Sequence, residues 1–117
     1  MAITLNRGSD FMSDRYKYDF RVLTYQKGWA QIDTRQDASY YGTWTNPERR
    51  ELFSYCEGDT CLTKCDTDED YKQAMRECAD WNKNAGYWIG IDPGLGEEMK
   101  ARFVALGLAD LFHQVAA

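Results

Sequence analysis

Tight turns inside residues 29–65 constrain this chain more than any other feature. Asn46-Pro47-Glu48-Arg49 places Asn and Pro where a type I turn uses them. Glu57-Gly58-Asp59-Thr60 offers a two-residue Gly-Asp loop, with glycine supplying positive φ at its first position. Closing the first turn sets Thr45 opposite Arg50, Trp44 opposite Glu51 and Gly42 opposite Phe53. Closing the second sets Cys56 opposite Cys61 and Ser54 opposite Thr63. Strand side chains alternate between faces, so one face carries Tyr40, Gly42, Trp44, Phe53, Tyr55 and Leu62. The other carries Tyr41, Thr43, Leu52, Ser54, Cys56, Cys61, Thr63 and Cys65. The first face is the more aromatic, so it is expected to form the core under the helices. Gly42 beside Phe53 would leave room for the ring over the backbone.

The rest of the chain fits around that sheet. Residues 1–18 show no clear period and read as a poorly structured N-terminal segment. Asp19 to Tyr25, Trp29 to Thr34 and Ser39 to Thr45 are rich enough in β-branched and aromatic residues for strands. Thr67 can cap a helix, with Asp70 three residues on and an acidic first turn at its positive end. Tyr71, Ala74, Met75, Cys78, Trp81 and Ala85 follow a helical spacing, and Gly86 is placed to end the helix. Tyr87 to Ile91 reads as a short extended piece, and Asp92 to Gly96 as a loop. A second helix is expected from Glu97 to Leu106, closed by Gly107 with Leu108 folding back. One more turn follows over Ala109 to His113. The fold class expected is α+β: a four- to five-stranded antiparallel meander followed by two helices packed on one sheet face. It forms a single domain over residues 1–117, with the sheet in 19–65 and the helical part in 67–113. Trp44, Phe53, Met75 and Trp81 are expected in the core.

Composition bounds the function. The chain is 44% hydrophobic and 15% aromatic, which marks it as globular. No apolar run approaches the ~20 residues of a membrane span, and MAITLNRGSD lacks the apolar core of a signal peptide. A cytoplasmic location and no membrane partner are therefore expected. The net charge is −5, unevenly spread: residues 1–50 carry +2 and residues 51–117 carry −7. Such a chain is a poor candidate for binding nucleic acid through phosphates. A mimic of DNA would need the −7 gathered in one stripe.

Candidate chemistry is sparse. Cys56, Cys61, Cys65 and Cys78 have no standard zinc spacing, and the single histidine, His113, is far from them in sequence. They read as packing residues, although a facing Cys56–Cys61 pair could form a disulfide under oxidising conditions. Gly94-Leu95-Gly96 lacks the lysine and full glycine pattern of a phosphate loop and reads as a helix start. Asp33, Asp37 and Asp92, with His113, could bind a metal or do acid–base chemistry if they converged. Turn and strand-end hydrogen bonding explains each aspartate more simply. We expect no metal, no cofactor and no catalytic pocket.

The run from Gln31 to Pro47, QIDTRQDASYYGTWTNP, then Cys56-Glu57-Gly58-Asp59 and Gly90-Ile91-Asp92-Pro93-Gly94, resembles small uncharacterised proteins carried on plasmids, phages and other mobile elements. The resemblance covers about Asp10 to His113 and brings no activity with it. It implies an accessory protein that acts by binding a host or rival system. The leading expectation is a non-catalytic module with a protein partner. Its binding surface is expected on the non-core sheet face and turns, at Arg35, Asp37, Tyr41, Thr43 and Arg49. The alternative is a small metal-dependent hydrolase or nuclease using Asp33, Asp37 and Asp92.

Overall fold

The structure is a computed structural model that describes residues 2–5, 28–35, 41–56, 59–92 and 96–113. The strand expected from Asp19 to Tyr25, residue Asp37 and the Pro93-Gly94-Leu95 part of the loop lie outside the described residues.

The expected meander is present. Strands β2 (Ala30–Thr34), β3 (Tyr41–Asn46), β4 (Glu51–Cys56) and β5 (Asp59–Cys65) pair antiparallel in succession. Two further strands extend it. β1 (Ala2–Leu5) pairs with β5, where the sequence suggested little regular structure, and β6 (Trp88–Ile91) pairs with β2. The six-stranded order is β1-β5-β4-β3-β2-β6. Helices α1 (Asp68–Asn84) and α2 (Glu97–Ala105) follow, then a short 3-10 turn, Ala109–Leu111. The class is α+β, with the helices on one sheet face.

The helix ends are set locally. The Asp70 amide donates to the Thr67 hydroxyl at 3.1 Å, which caps α1 as the sequence indicates. Both helices close with the paired bonds of a Schellman motif around a glycine. Tyr87 N–H reaches the Asn82 carbonyl and Gly86 N–H that of Lys83; Leu108 N–H reaches Phe103 and Gly107 N–H reaches Val104.

Both hairpin registers differ from expectation by two residues. In the first, Asn46 pairs with Glu51, Trp44 with Phe53 and Gly42 with Tyr55. The cause is the Asn46 side chain, whose Oδ1 accepts the Arg49 amide at 3.0 Å. That bond supports a four-residue loop, Pro47–Arg50, which closes through Arg50 at φ +57. In the second, Cys56 pairs with Asp59 and Ser54 with Cys61, so residues 57–58 form the connection. Cys56 and Cys61 do not face one another in this register. A slip of two preserves the faces, because strand side chains alternate with period two.

The face assignment is reversed. The helices lie on the side of Ala30, Ile32, Leu52 and Cys65, which form one cluster with Tyr71, Met75, Ala79, Ile91, Phe103 and Leu106. Trp44, Phe53 and Leu62 occupy the opposite face and are buried as well. There the Trp44 and Phe53 rings meet at 6.2 Å between centroids. Gly42 makes room for Trp44 rather than Phe53: a Cβ there would come within 2.3 Å of the Trp44 ring. The physical reason for the reversal is polar. Tyr71 of α1 is fully buried, and its hydroxyl needs a partner. Thr45, on the Leu52 face, supplies one. Tyr71 O–H can donate to Thr45 Oγ1 while Thr45 O–H donates to the Glu51 carbonyl at 3.2 Å. Burial pushes the Tyr71 hydroxyl well above its usual ionisation range, so it stays a neutral donor.

Three of the four expected core residues, Trp44, Phe53 and Met75, are buried; Trp81 is 62% exposed. The α1 core stripe is Tyr71, Met75, Ala79 and Asn82, and Trp81 stands off it by about a quarter turn.

Phe53→Ala should lower stability by ~3–5 kcal/mol, measured by denaturant unfolding, because a fully buried ring would leave a cavity. Thr45→Val should cost ~1–3 kcal/mol by stranding the Tyr71 hydroxyl. Adding Tyr71→Phe to Thr45→Val should then cost less than the sum of the single changes. Strict additivity would show that the two hydroxyls do not depend on one another.

Candidate functional site

Of the residues expected to form a binding surface, Arg35, Thr43 and Arg49 are described, and they lie apart. Arg35 follows β2 and is exposed, with its backbone amide bonded to the Tyr87 carbonyl at 2.8 Å. Arg49 is also exposed, but it lies in the β3–β4 loop, at the opposite end of the sheet, and pairs with the buried Glu51. Thr43 pairs with Ile32 and so lies on the helix-bearing side, half-buried. Tyr41 begins β3 opposite Cys56; its side chain and Asp37 lie outside the described residues.

Two of the cysteines reach the core that the reversal creates. Cys65 belongs to it, and Cys78 packs against it from α1. Burial raises the Cys61, Cys65 and Cys78 thiols above their usual range, Cys78 to about 11, so all three are neutral at pH 7. Among the described residues, no three His, Cys, Asp or Glu side chains are grouped to hold a metal.

Two of the three expected aspartates do adjoin. Asp33 of β2 is the register partner of Gly90 in β6. Asp92 follows β6, and its amide donates to the Gln31 carbonyl at 2.9 Å. Asp33 and Asp92 therefore sit two places apart on one side of the β2–β6 ladder. His113 arrives from the C-terminal segment, whose Phe112 bridges Ile91 in parallel and whose His113 amide donates to the Ile91 carbonyl at 2.9 Å. Gly90 permits this approach: a Cβ would come within 2.6 Å of the His113 backbone. Burial raises the Asp33 carboxyl above the usual range, the nearby Asp92 charge raises it further, and His113 offsets part of the effect.

A second feature was not foreseen. Trp81, at the end of α1, is 62% exposed, and Tyr87, just beyond the helix, is 37% exposed. Their rings lie 6.2 Å apart between centroids, tilted by 48°. Close by in the chain, Lys83 Nζ sits 5.8 Å from the centre of the half-buried Trp88 ring. The sequence does hold the signal for this patch. Once Tyr71 and Met75 fix the inward arc of α1, helical geometry turns Trp81 away from it. The spacing from Cys78 to Trp81 suggests a common face only if the whole arc is ignored.

Raised Asp33 ionisation has a testable sign. A carboxyl whose folded value lies above its unfolded value favours folding at low pH, and that contribution is lost as pH rises through the folded value. Asp33→Asn should therefore raise the melting temperature at pH 8 and give little gain at pH 4. A uniform change across that range would show that Asp33 is not held against burial and Asp92.

No protein-family model, no curated protein and no solved structure matches this chain.

Proposed function

We propose that this chain is a non-catalytic protein-binding module, an accessory protein of a mobile genetic element that acts in the cytoplasm. The observation that carries the binding reading is the exposed Trp81–Tyr87 pair. Large rings left in water on a helix face, next to a well-filled core, are what a binding anchor requires. Trp and Tyr are over-represented among the few residues that dominate interface energies. Among the described residues of the expected surface, Arg35 adjoins this patch, through its bond to Tyr87. No helix among the described residues is long and apolar enough to cross a membrane.

One observation favours the alternative, a small hydrolase. Asp33, Asp92 and His113 share one corner, and raised carboxyl ionisation is a frequent mark of acid–base sites. The same observations have a structural account: the trio surrounds the point where the C-terminal segment docks on β6. Metal-dependent chemistry also lacks a described group of three ligands. The binding reading therefore takes precedence.

Trp81→Ala should change the melting temperature by little, since most of that ring is in solvent, and Tyr87→Ala by more, since most of Tyr87 is covered. Each should weaken capture of a partner, with Trp81→Ala costing ~2 kcal/mol or more, about thirtyfold in affinity. A partner retained at full strength by Trp81→Ala would exclude this surface.

A further inference from the structure

We infer that the Trp81–Tyr87 patch receives a basic segment of its protein partner, with a cationic side chain laid against the exposed Trp81 ring. This rests on the binding reading above and names the chemistry of the partner. The first observation is the charge of the surrounding helix face. Gln73, Glu77, Asp80, Trp81 and Asn84 follow the i, i+4, i+7, i+8, i+11 spacing of one face of α1, and all are exposed. That face carries two carboxylates, two amides and no base. The α1 bases that border this face beside Asp80, namely Arg76 and Lys83, are engaged with other partners, as is Lys72. Arg76 binds Asp110 and donates to the Gly107 carbonyl at 2.8 Å, and Lys72 pairs with Glu69 at 3.7 Å. Lys83 lies over Trp88.

The second observation is the shape and electronics of the ring pair. The Trp81 and Tyr87 rings contact one another, with centroids 6.2 Å apart and planes tilted by 48°, and Trp81 is 62% exposed, so part of its π-face is open to a ligand. The negative faces of Trp and Tyr attract a guanidinium or ammonium group. The Lys83–Trp88 contact shows the same chemistry within the chain. Arg is the better occupant, because its planar group can stack on a ring and still bond a carboxylate such as Glu77 or Asp80. Arg35, whose amide bonds the Tyr87 carbonyl, lies beside the patch and is not needed for the contact.

The test uses the purified full chain and three short synthetic peptides, one arginine-rich, one glutamate-rich and one uncharged. Binding is followed by backbone amide shifts and tryptophan fluorescence. The arginine-rich peptide alone should bind, and the shifts should centre on residues 73–87. Affinity should fall by about tenfold or more in Glu77→Lys/Asp80→Lys and on raising salt, as expected for a charge-steered contact. Glu97→Lys/Glu98→Lys, on the exposed start of α2, should leave it unchanged. The inference is overturned if the arginine-rich peptide does not bind, or if the other peptides bind as well. It is equally overturned if Glu97→Lys/Glu98→Lys weakens binding as much as the α1 pair. A partner lost on Trp81→Ala but kept by Glu77→Lys/Asp80→Lys would preserve the binding reading and remove this one. A partner kept by Trp81→Ala would remove both.

Discussion

A pair of buried hydroxyls decides which face of the sheet the helices cover. Tyr71 enters the core with its whole ring, and a phenol cannot be buried there without a partner for its O–H. Thr45 provides that partner and donates its own hydrogen bond to the Glu51 carbonyl. Met75 Sδ lies 3.3 Å from the same Thr45 oxygen, so one turn of α1 is keyed to one position of β3. Apolar packing alone would accept several placements of the helix. A polar contact inside the core is directional and accepts few.

The placement of α2 depends on α1 through charged contacts at its last turn and just beyond it. Asp68, the first residue of α1, accepts from Arg50 at 2.8 Å and from Arg102 of α2 at 2.9 Å. Those two bonds hold the Asp68 carboxyl below the usual range. Just beyond α2, Arg76 of α1 grips Asp110 with both terminal nitrogens and also reaches the Gly107 carbonyl. Such exposed pairs contribute little stability individually. Their effect is geometric: they fix how Phe103, Leu106 and Leu108 settle on the core. Arg50 also holds the left-handed end of the β3–β4 loop, so loop and helices are tied at one point.

With both sheet faces buried, the outer face of α1 becomes the natural place for a functional surface. The core takes Tyr71, Met75 and Ala79 from α1, and the helix ends just where its outward face turns aromatic. The Asp33–Asp92–His113 corner lies at the other end of β6 from Trp88. It is best understood as the seat of the C-terminal segment, with Phe112 edge-on to Phe103 at 5.8 Å. A strand edge covered by its own chain is also guarded against pairing with other molecules.

The sequence by itself determined the local structure of this protein. The Thr67 cap, the glycines that end both helices, the positions of the hairpins and the α+β class are all set by neighbours within a few residues, whose chemistry is visible in the letters. Two features that repeat with period two were only half legible. Alternation shows which residues share a face, but a slip of two residues leaves every face unchanged, so Trp44 against Phe53 could not be told from Gly42 against Phe53. Tertiary structure alone decided the rest. Choosing the Leu52 face over the Trp44 face required knowing that Tyr71 and Thr45 would meet, 26 residues apart. Bringing Asp33 beside Asp92 and His113 required β6 to pair with β2 and the C-terminal segment to pass over Gly90. Exposing Trp81 followed from the arc that Tyr71 turned inward. Contacts of that range are selected by the packing of the whole chain, and no window of sequence contains them.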